Sequence, residues 1–562
     1  MDTETDRGKA ILITVPWTFF EPKTWEECVD FLSRFRQMAC WNADYDGQAI
    51  LKHLPAAVRN RIALLHEGQY RDYKIKYVKA KFFRVWREDK HLFTVYDMRQ
   101  FYNCSLEVAA KKLNVQPKKS IPKSWYVKVR QVLNDPKTRE RFLQYALGDA
   151  QTLQQIIDRT VEAFKVAGLK FERPFSNASF GERYFRSKFG YRRNEEVEKM
   201  ARSAYHGGRI ECLRAGYFKQ AYLYDINSAY PSQIAKLIKP DGRWVKGKEV
   251  RGDAIYAFVD CMVRIPNNEA VGPIPVRRRS NLIIYPVGRF RKTITLPEFN
   301  YLESRGWIEK IYSAYCHVWP SYKKPFQEIE DLYVKRKKYP AQDYALKIVM
   351  NATYGKMAQV LENLIRVHYV NGKTMIFDGR VWRKKEEMKN HTSFVYAATI
   401  TANIRMKLLD IPTDKVIFYS TDGVMTTEPV NLPLGKGLGE WGMKKVTDLI
   451  VVGSGVYVCT VDNRTVVRFR GFSPNIDLRG MLKRAGRRHF VNMKVLRNTS
   501  LRMAIDRPHT LNVLEPVTRV LNVNFDSKRF WSYQWNAGEL THQTFKSESL
   551  VYYKPIKLPL NT

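Results

Sequence analysis

The sequence predicts a multidomain protein built from α/β and α+β units. Its 562 residues exceed what one hydrophobic core holds and leave room for three or four ordinary domains. The hydrophobic pattern also changes character along the chain. Strand-like and helical runs alternate to about residue 175, whereas later regions group helices together and then form a strand, tight turn and strand. There is no fixed-period repeat and no long low-complexity stretch.

In the first region, 11–15 and 92–96 are rich in β-branched and aromatic residues, and 108–113 and 142–161 carry apolar residues at helical spacing. This is an α/β domain. A polar, basic connector over roughly 176–210 ends in Tyr205-His206-Gly207-Gly208-Arg209. The run 220–224 then reads as a strand that stops at Asp225, after which Ser228 and Pro231 suit a turn into a helix. Short strands punctuated by Pro and Gly are expected from about 250 to 320. The helical pattern from 326 to 362 must break at Pro340, giving two helices that an antiparallel pair would fit. Residues 415–429 read as a hairpin with Thr421-Asp422-Gly423 at its turn. Beyond about 475 the chain mixes basic helical and extended segments and offers no clear division.

Lys and Arg outnumber Asp and Glu by 95 to 56, a net charge of +39 that points to a polyanionic partner. Aromatic residues are 13% of the chain, and Arg336-Lys337-Lys338-Tyr339 and Lys528-Arg529-Phe530-Trp531 set them beside the charge. Such a mixture neutralises phosphates and offers stacking surfaces, so nucleic acid is the expected ligand. The seven cysteines form no CxxC pair, which argues against a disulfide framework or a structural zinc site. No apolar run is long enough to cross a bilayer and the first residues lack a signal-peptide core, so no membrane partner and a cytoplasmic location are expected.

Asp225 at a strand end and Asp422 at a hairpin tip can converge at one edge of a shared antiparallel sheet. Nucleotide addition needs such carboxylates to hold two divalent cations, although an isolated Asp at either position is equally a turn former. Lys347, Asn351 and Tyr354 fall at i, i+4 and i+7, on one helix face that can meet one nucleotide, and Gly355 follows directly.

Tyr224-Asp225-Ile226-Asn227-Ser228-Ala229-Tyr230-Pro231-Ser232, Lys347-Ile348-Val349-Met350-Asn351-Ala352-Thr353-Tyr354-Gly355 and Phe418-Tyr419-Ser420-Thr421-Asp422-Gly423 together resemble motifs A, B and C of the family B DNA polymerases. The resemblance implies that Asp225 and Asp422 hold the metal ions and that Lys347 binds the triphosphate. Arg336, or its neighbour Lys335, would be a second phosphate ligand. Tyr354 would pack near the nascent base pair, with Asn351 on the same nucleotide-binding face. Tyr230 would stack under the sugar and exclude a 2′-hydroxyl. Motif C departs from the family's Asp-Thr-Asp by carrying Ser420, which removes one negative charge from the metal site; weaker metal binding or a changed metal preference is expected, without loss of the chemistry.

Asp2-Thr3-Glu4-Thr5, Asn42-Ala43-Asp44-Tyr45-Asp46 and Tyr145-Ala146-Leu147-Gly148-Asp149 resemble the three motifs of the DEDD 3′–5′ exonucleases. Asp2, Glu4, Asp46 and Asp149 would hold two metal ions, Tyr145 would orient the attacking water, and Asn42 and Tyr45 would contact the single-stranded 3′ end. Because Asp2 directly follows Met1, the strand carrying it is either short or begins upstream.

The resemblance is nearest to the protein-primed branch of phages and linear plasmids. Tyr205, Gly207 and Gly208 match its YxGG element, which tracks the template, and 400–405 matches the branch as well. Its KxY element keeps only Tyr457, leaving Arg468 and Arg470 to supply charge at the primer phosphates. The implied fold is an RNase H-like exonuclease domain plus a right hand of palm, fingers and thumb, with an antiparallel palm sheet. The expected divisions are exonuclease at 1–175, connector and first part of the palm at 176–245, and an insertion resembling a terminal-protein region at 246–325. Fingers follow at 326–360, the second part of the palm at 361–475, and thumb and C-terminal region at 476–562.

The implied function is template-directed dNTP addition with proofreading and strand displacement, by a monomer acting on primer–template and single-stranded DNA. Each active site would use two divalent cations, Mg²⁺ or Mn²⁺, and a terminal protein would supply the primer hydroxyl. The alternatives are a primer-independent relative and an inactive polymerase-like DNA-binding protein.

Overall fold

The computed structural model describes residues 1–552 apart from 117–119, 167, 175–176, 279–281, 339–342, 359–366, 371–373, 378–391, 454, 470–476, 485–489, 502, 506, 523–527 and 532–537. Its N-terminal unit pairs two sheets. Strands Asp2–Asp6, Lys9–Val15 and Thr18–Phe20 form an antiparallel sheet. A five-stranded sheet runs in the order Gln37–Cys40, Lys90–Asp97, Phe82–Arg87, Tyr73–Val78, Glu67–Tyr70, with its first pair parallel. The Met1 amino group donates to the Ala39 carbonyl at 2.6 Å, so the two sheets meet edge to edge at Asp2. The strand carrying Asp2 is five residues long.

Period-2 alternation turns Phe83, Val85, Phe93 and Val95 into a core shared with Trp25 and Ile75. Helix Trp25–Ser33 packs there, with the Thr24 hydroxyl accepting from the Glu27 amide. The helix expected at 142–161 is the middle of a longer one, Pro136–Val166.

The connector contains two helices, Asn177–Phe185 and Glu195–Ala204. Only Val197, Ala201 and Ala204, at i, i+4 and i+7, are buried apolar residues of the second, a stripe too narrow to stand out among its charges.

The central sheet is antiparallel throughout. It runs Arg464–Phe469, Val456–Val461, Trp441–Gly453, Arg214–Ile226, Gly423–Thr426, Val416–Thr421, Arg209–Cys212. Strand Arg214–Ile226 extends well beyond the expected 220–224, and its first turn also pairs with Thr544–Lys546. Gly216 (φ +112°) permits that approach, since a Cβ there would fall 1.9 Å from the Gln543 carbonyl oxygen.

The region between Asp225 and Lys347 folds as a four-stranded sheet ordered Arg243–Gly247, Ile308–Val318, Tyr256–Ile265, Gly288–Thr295, with helix Leu296–Glu303 against it. These strands are longer than the Pro and Gly spacing suggested. Helices Ile329–Lys338 and Asp343–Met357 follow; Pro340 lies outside the described residues. Helix Phe394–Leu408 is buried on nearly every side.

Strands Phe490–Asn498 and Leu514–Asn522 form a hairpin whose connecting segment docks on the N-terminal unit. Leu501, Ala504 and Leu511 join that unit's core, and the Asn512 amide donates to the Gly8 and Tyr45 carbonyls at 3.3 and 3.2 Å. The chain then returns beside the central sheet, where Lys528 donates to the Ile210 carbonyl and Arg529–Phe530 pairs with Glu548–Ser549 in a separate two-stranded sheet.

Candidate active sites

Asp225 is the penultimate residue of its strand, opposite Gly423 on one side and Gly442 on the other. Asp422 occupies the tip of the neighbouring hairpin, and its carbonyl accepts from the Ile226 amide at 3.0 Å. Thr421 adopts φ +64° to make this turn. Burial in the cleft and then repulsion from Asp422 push the Asp225 carboxyl up to about 6, against the pull of Lys444 and Lys347. Burial likewise raises Asp422. Two carboxylates that converge in a buried cleft, the charge of one raising the other, are a donor set that a divalent cation fits. Ser420 sits in the register opposite Gly423.

Lys347 and Asn351 are exposed on the face of helix Asp343–Met357 that also carries Tyr354. Arg336 reaches motif A: its Nη1 donates to the Ser228 hydroxyl at 3.2 Å while its Nε donates to Asp343 at 2.5 Å. Lys335 is exposed. Of the two, Arg336 is the one tied to the turn after Asp225.

Three tyrosines from three motifs meet beside the carboxylates. The Tyr230 and Tyr354 rings lie 4.6 Å apart at 39°, and the Tyr354 and Tyr205 hydroxyls are 2.9 Å apart. Gly208 closes this cluster, because a Cβ there would lie 2.7 Å from Thr421 Cγ2 and 2.8 Å from the Tyr230 hydroxyl. Gly208→Ala must therefore move Tyr230 or the Asp422 turn.

Gly207 is held through its carbonyl. Arg405, fully buried, donates from Nη1 to the His206 and Gly207 carbonyls at 2.8 and 2.9 Å and from Nη2 to Glu298 at 2.7 Å. Glu298 also accepts from the Thr295 amide and hydroxyl at the start of its helix. Sequence reading quoted Arg405 only within a matching segment and missed Glu298 altogether. The one signal was Thr295-Leu296-Pro297-Glu298, a capping-box pattern that gives no hint of its second partner.

Tyr457 stacks on Phe418 at 5.2 Å and pairs in register with Arg468; burial raises its phenol, with Cys459 and, least, Asp225 adding to the shift against the pull of Arg468. Arg470 lies outside the described residues.

In the N-terminal unit the carboxylate oxygens of Asp2, Glu4 and Asp149 lie within 4.8 Å of one another. Burial, followed by repulsion from Asp46, Glu4 and Asp149, raises Asp2 well above the usual carboxylate range. A cation fits this set for the same reason as in the central sheet. Asp46 stands beside it, accepting from the Thr3 amide and hydroxyl at 3.1 and 2.8 Å, and burial lifts it to about 6. Asp44 is occupied elsewhere, by the Tyr77 hydroxyl and the Ala80 amide.

Tyr145 is buried on helix Pro136–Val166 one turn before Asp149, and burial and then Asp149 raise its phenol far above the ordinary value. Tyr126, half exposed and missed in the sequence, donates to the Tyr145 hydroxyl at 3.2 Å. The Tyr45 hydroxyl shares a hydrogen bond with Thr5 at 2.8 Å. Asn42 precedes helix Ala43–Leu51 without using its side chain as a cap.

Residues 134–415, half of the chain, match the family described as DNA polymerase type B, organellar and viral, and the chain belongs to that family. The DNA polymerase of Acidianus bottle-shaped virus (isolate Italy/Pozzuoli) is 23% identical over 370 residues, covering 61% of this chain and 51% of that protein. The DNA-directed DNA polymerase of Enterobacteria phage PRD1 is 22% identical over 373 residues, 60% of this chain and 64% of that protein. The chain thus spans between about half and two thirds of the length of these curated relatives. Among solved structures, Phi29 DNA polymerase complexed with primer-template DNA and incoming nucleotide substrates superimposes with a TM-score of 0.66 at 13% identity, over 93% of this chain and 98% of that one. The fold is therefore that of a multidomain exonuclease-plus-right-hand polymerase with antiparallel sheets, as the motifs implied. No helix among the described residues is long and apolar enough to cross a membrane.

Proposed function

We propose that the chain is a DNA-directed DNA polymerase that adds dNTPs to a primer on a template, with a 3′–5′ exonuclease in its N-terminal unit. The observation that carries the first reading is the convergence of Asp225 and Asp422 at adjoining strand ends, with Lys347 close enough to act on Asp225. The cluster of Asp2, Glu4 and Asp149 carries the second.

In each site a pair of divalent cations, Mg²⁺ or Mn²⁺, would stabilise the attacking and leaving oxygens of an in-line displacement at phosphorus. The residues do the rest. Lys347 and Arg336 offset the charge of the triphosphate from the side facing motif A. Tyr354 supports the nascent pair, while the Tyr230 ring, held by Tyr354 and the Gly208 turn, fills the space a 2′-hydroxyl needs. The attacking hydroxyl comes from a primer terminus or from a terminal protein, the second being favoured by the Tyr205-His206-Gly207-Gly208 element and the segment 400–405. A monomer in the host cytoplasm, with strand displacement, completes the reading.

The test is extension of a labelled primer–template by the wild type and Asp422→Ala, repeated without dNTPs and with Asp149→Ala. Extension lost only in the first variant and shortening lost only in the second are expected. Extension by Asp422→Ala at the wild-type rate would sink the assignment. Tyr230→Val is expected to raise ribonucleotide incorporation relative to dNTPs by about tenfold or more, ~1.4 kcal/mol of lost discrimination, read from paired single-nucleotide kcat/KM values.

Metal dependence should also appear in stability. Asp225, Asp46 and Asp2 have folded-state pKa values above their unfolded ones. Their contribution is full below the unfolded value near 4 and is lost as pH rises through the raised folded values, about 6 for Asp225 and Asp46. Cation binding offsets that loss, so Mg²⁺ is expected to raise the apparent Tm by about 2 °C or more near pH 7.5 and by little near pH 5. Equal shifts at both values, measured by scanning fluorimetry, would count against metal binding at these carboxylates.

A further inference from the structure

The face of the five-stranded sheet turned away from the N-terminal core is itself a built surface. Alternation that buries Phe83, Val85, Phe93 and Val95 turns Arg84 and Trp86 outward on one strand, and Thr94 and Tyr96 on the next. Register pairs Arg84 with Thr94, and Thr94 with Gln37. These side chains, with His91 and with Arg36 and Arg173 at the rim, enclose a cavity of about 440 Å³.

The floor is polar and fixed. Thr94 is 1% exposed, and its hydroxyl accepts from Arg84 Nε at 2.8 Å and contacts His91 Nε2 at 2.9 Å. Burial, and then the Arg84 and Arg36 guanidinium groups, push the His91 imidazole below its ordinary value. The Arg84 guanidinium also lies over the Phe82 and Trp86 rings at 5.1 and 5.5 Å. Arg36 and Arg173 are exposed.

Among the described residues the lining holds three guanidinium groups and no carboxylate, a local excess of positive charge that favours an anion. Guanidinium forks match phosphate oxygens, and an indole on an open sheet face is a surface on which bases stack. None of Asp2, Glu4 and Asp149 lines the cavity. We propose that this pocket binds a segment of single-stranded DNA, with phosphates on Arg36 and Arg173 and a base against Trp86, apart from both carboxylate sites.

The test uses the whole chain in EDTA, which silences metal-dependent cleavage, and a ten-nucleotide thymidine oligomer bearing 5-iodouracil for photocrosslinking. A crosslink within residues 82–96 is expected. Trp86→Leu should reduce its yield at least fivefold, as should Arg36→Ala with Arg173→Ala, while crosslinks elsewhere in the chain persist. Losing two phosphate contacts should also flatten the log–log salt dependence of binding by about 1.4. Because Arg36 and Arg173 are exposed, the double variant keeps the fold, which circular dichroism verifies. No crosslink in that segment, or one undiminished in both variants, overturns the proposal. Competition by dTMP as effective as the unlabelled oligomer at equal nucleotide concentration would make this a mononucleotide pocket and overturn the strand assignment.

Discussion

Replacing Asp422 with alanine is expected to lower nucleotide incorporation by about 10³-fold, while primer–template binding and primer shortening continue. The magnitude follows from the chemistry: a divalent cation contributes several kcal/mol at a phosphoryl centre, and ~4 kcal/mol is three powers of ten. Motif C carries Ser420 rather than a second carboxylate, so Asp225 and Asp422 supply the charge without a spare. Removing Asp422 also removes the repulsion that adds to burial in raising Asp225, but leaves that carboxylate to hold a cation alone. The turn should survive, because the contact to Ile226 is made by the Asp422 carbonyl. Asp422→Asn, which keeps the shape, should lose nearly as much. Single-turnover rates across a Mg²⁺ series decide it; a loss below about tenfold would mean that the cation is held elsewhere.

The largest effect on stability is expected from Glu298→Gln. Burial alone would raise this carboxyl, but the Arg405 guanidinium and the Thr295 hydrogen bonds overcome burial and hold it below the usual range. That stabilisation is present above the unfolded pKa and is lost as pH falls through the folded one. Neutralising Glu298 leaves Arg405 buried without a counter-charge, at a cost of about 3–5 kcal/mol. The same guanidinium holds the His206 and Gly207 carbonyls, so extension should fall with stability. A double variant, Glu298→Gln with Arg405→Met, separates the two roles. It should recover much of the denaturation midpoint, since no charge is stranded, yet stay poor in extension, since the loop before Gly208 has lost its tether. A single variant within about 1 kcal/mol of wild type would remove the ion pair from any structural role.

The two carboxylate sites were legible in the sequence where their chemistry is local. Asp225 sits at a strand end, Asp422 in a three-residue turn, and Lys347 and Tyr354 on one helix face, all set by short-range periodicity. What escaped was set by contacts far apart in the chain. The pairing of Arg405 with Glu298 spans 107 residues. Glu211 joins Arg209 beside it to Arg529, 318 residues on, with all three side chains no more than 1% exposed. No window of sequence holds both ends of such a pair. The helix at 195–204 was missed for another reason: too few apolar positions break a charged stretch, and the buried face is decided by what packs against it.

The strand that carries Asp225 takes its outermost partner from Thr544–Lys546, and the N-terminal unit fills its core with Leu501, Ala504 and Leu511. Translation runs in one direction, so neither catalytic unit can be finished when its own residues leave the ribosome. An arrested nascent chain ending near 490 would expose both gaps to proteases and chaperones. The N-terminal unit and the central sheet thus mature together, late in synthesis, and a prematurely terminated product would complete neither.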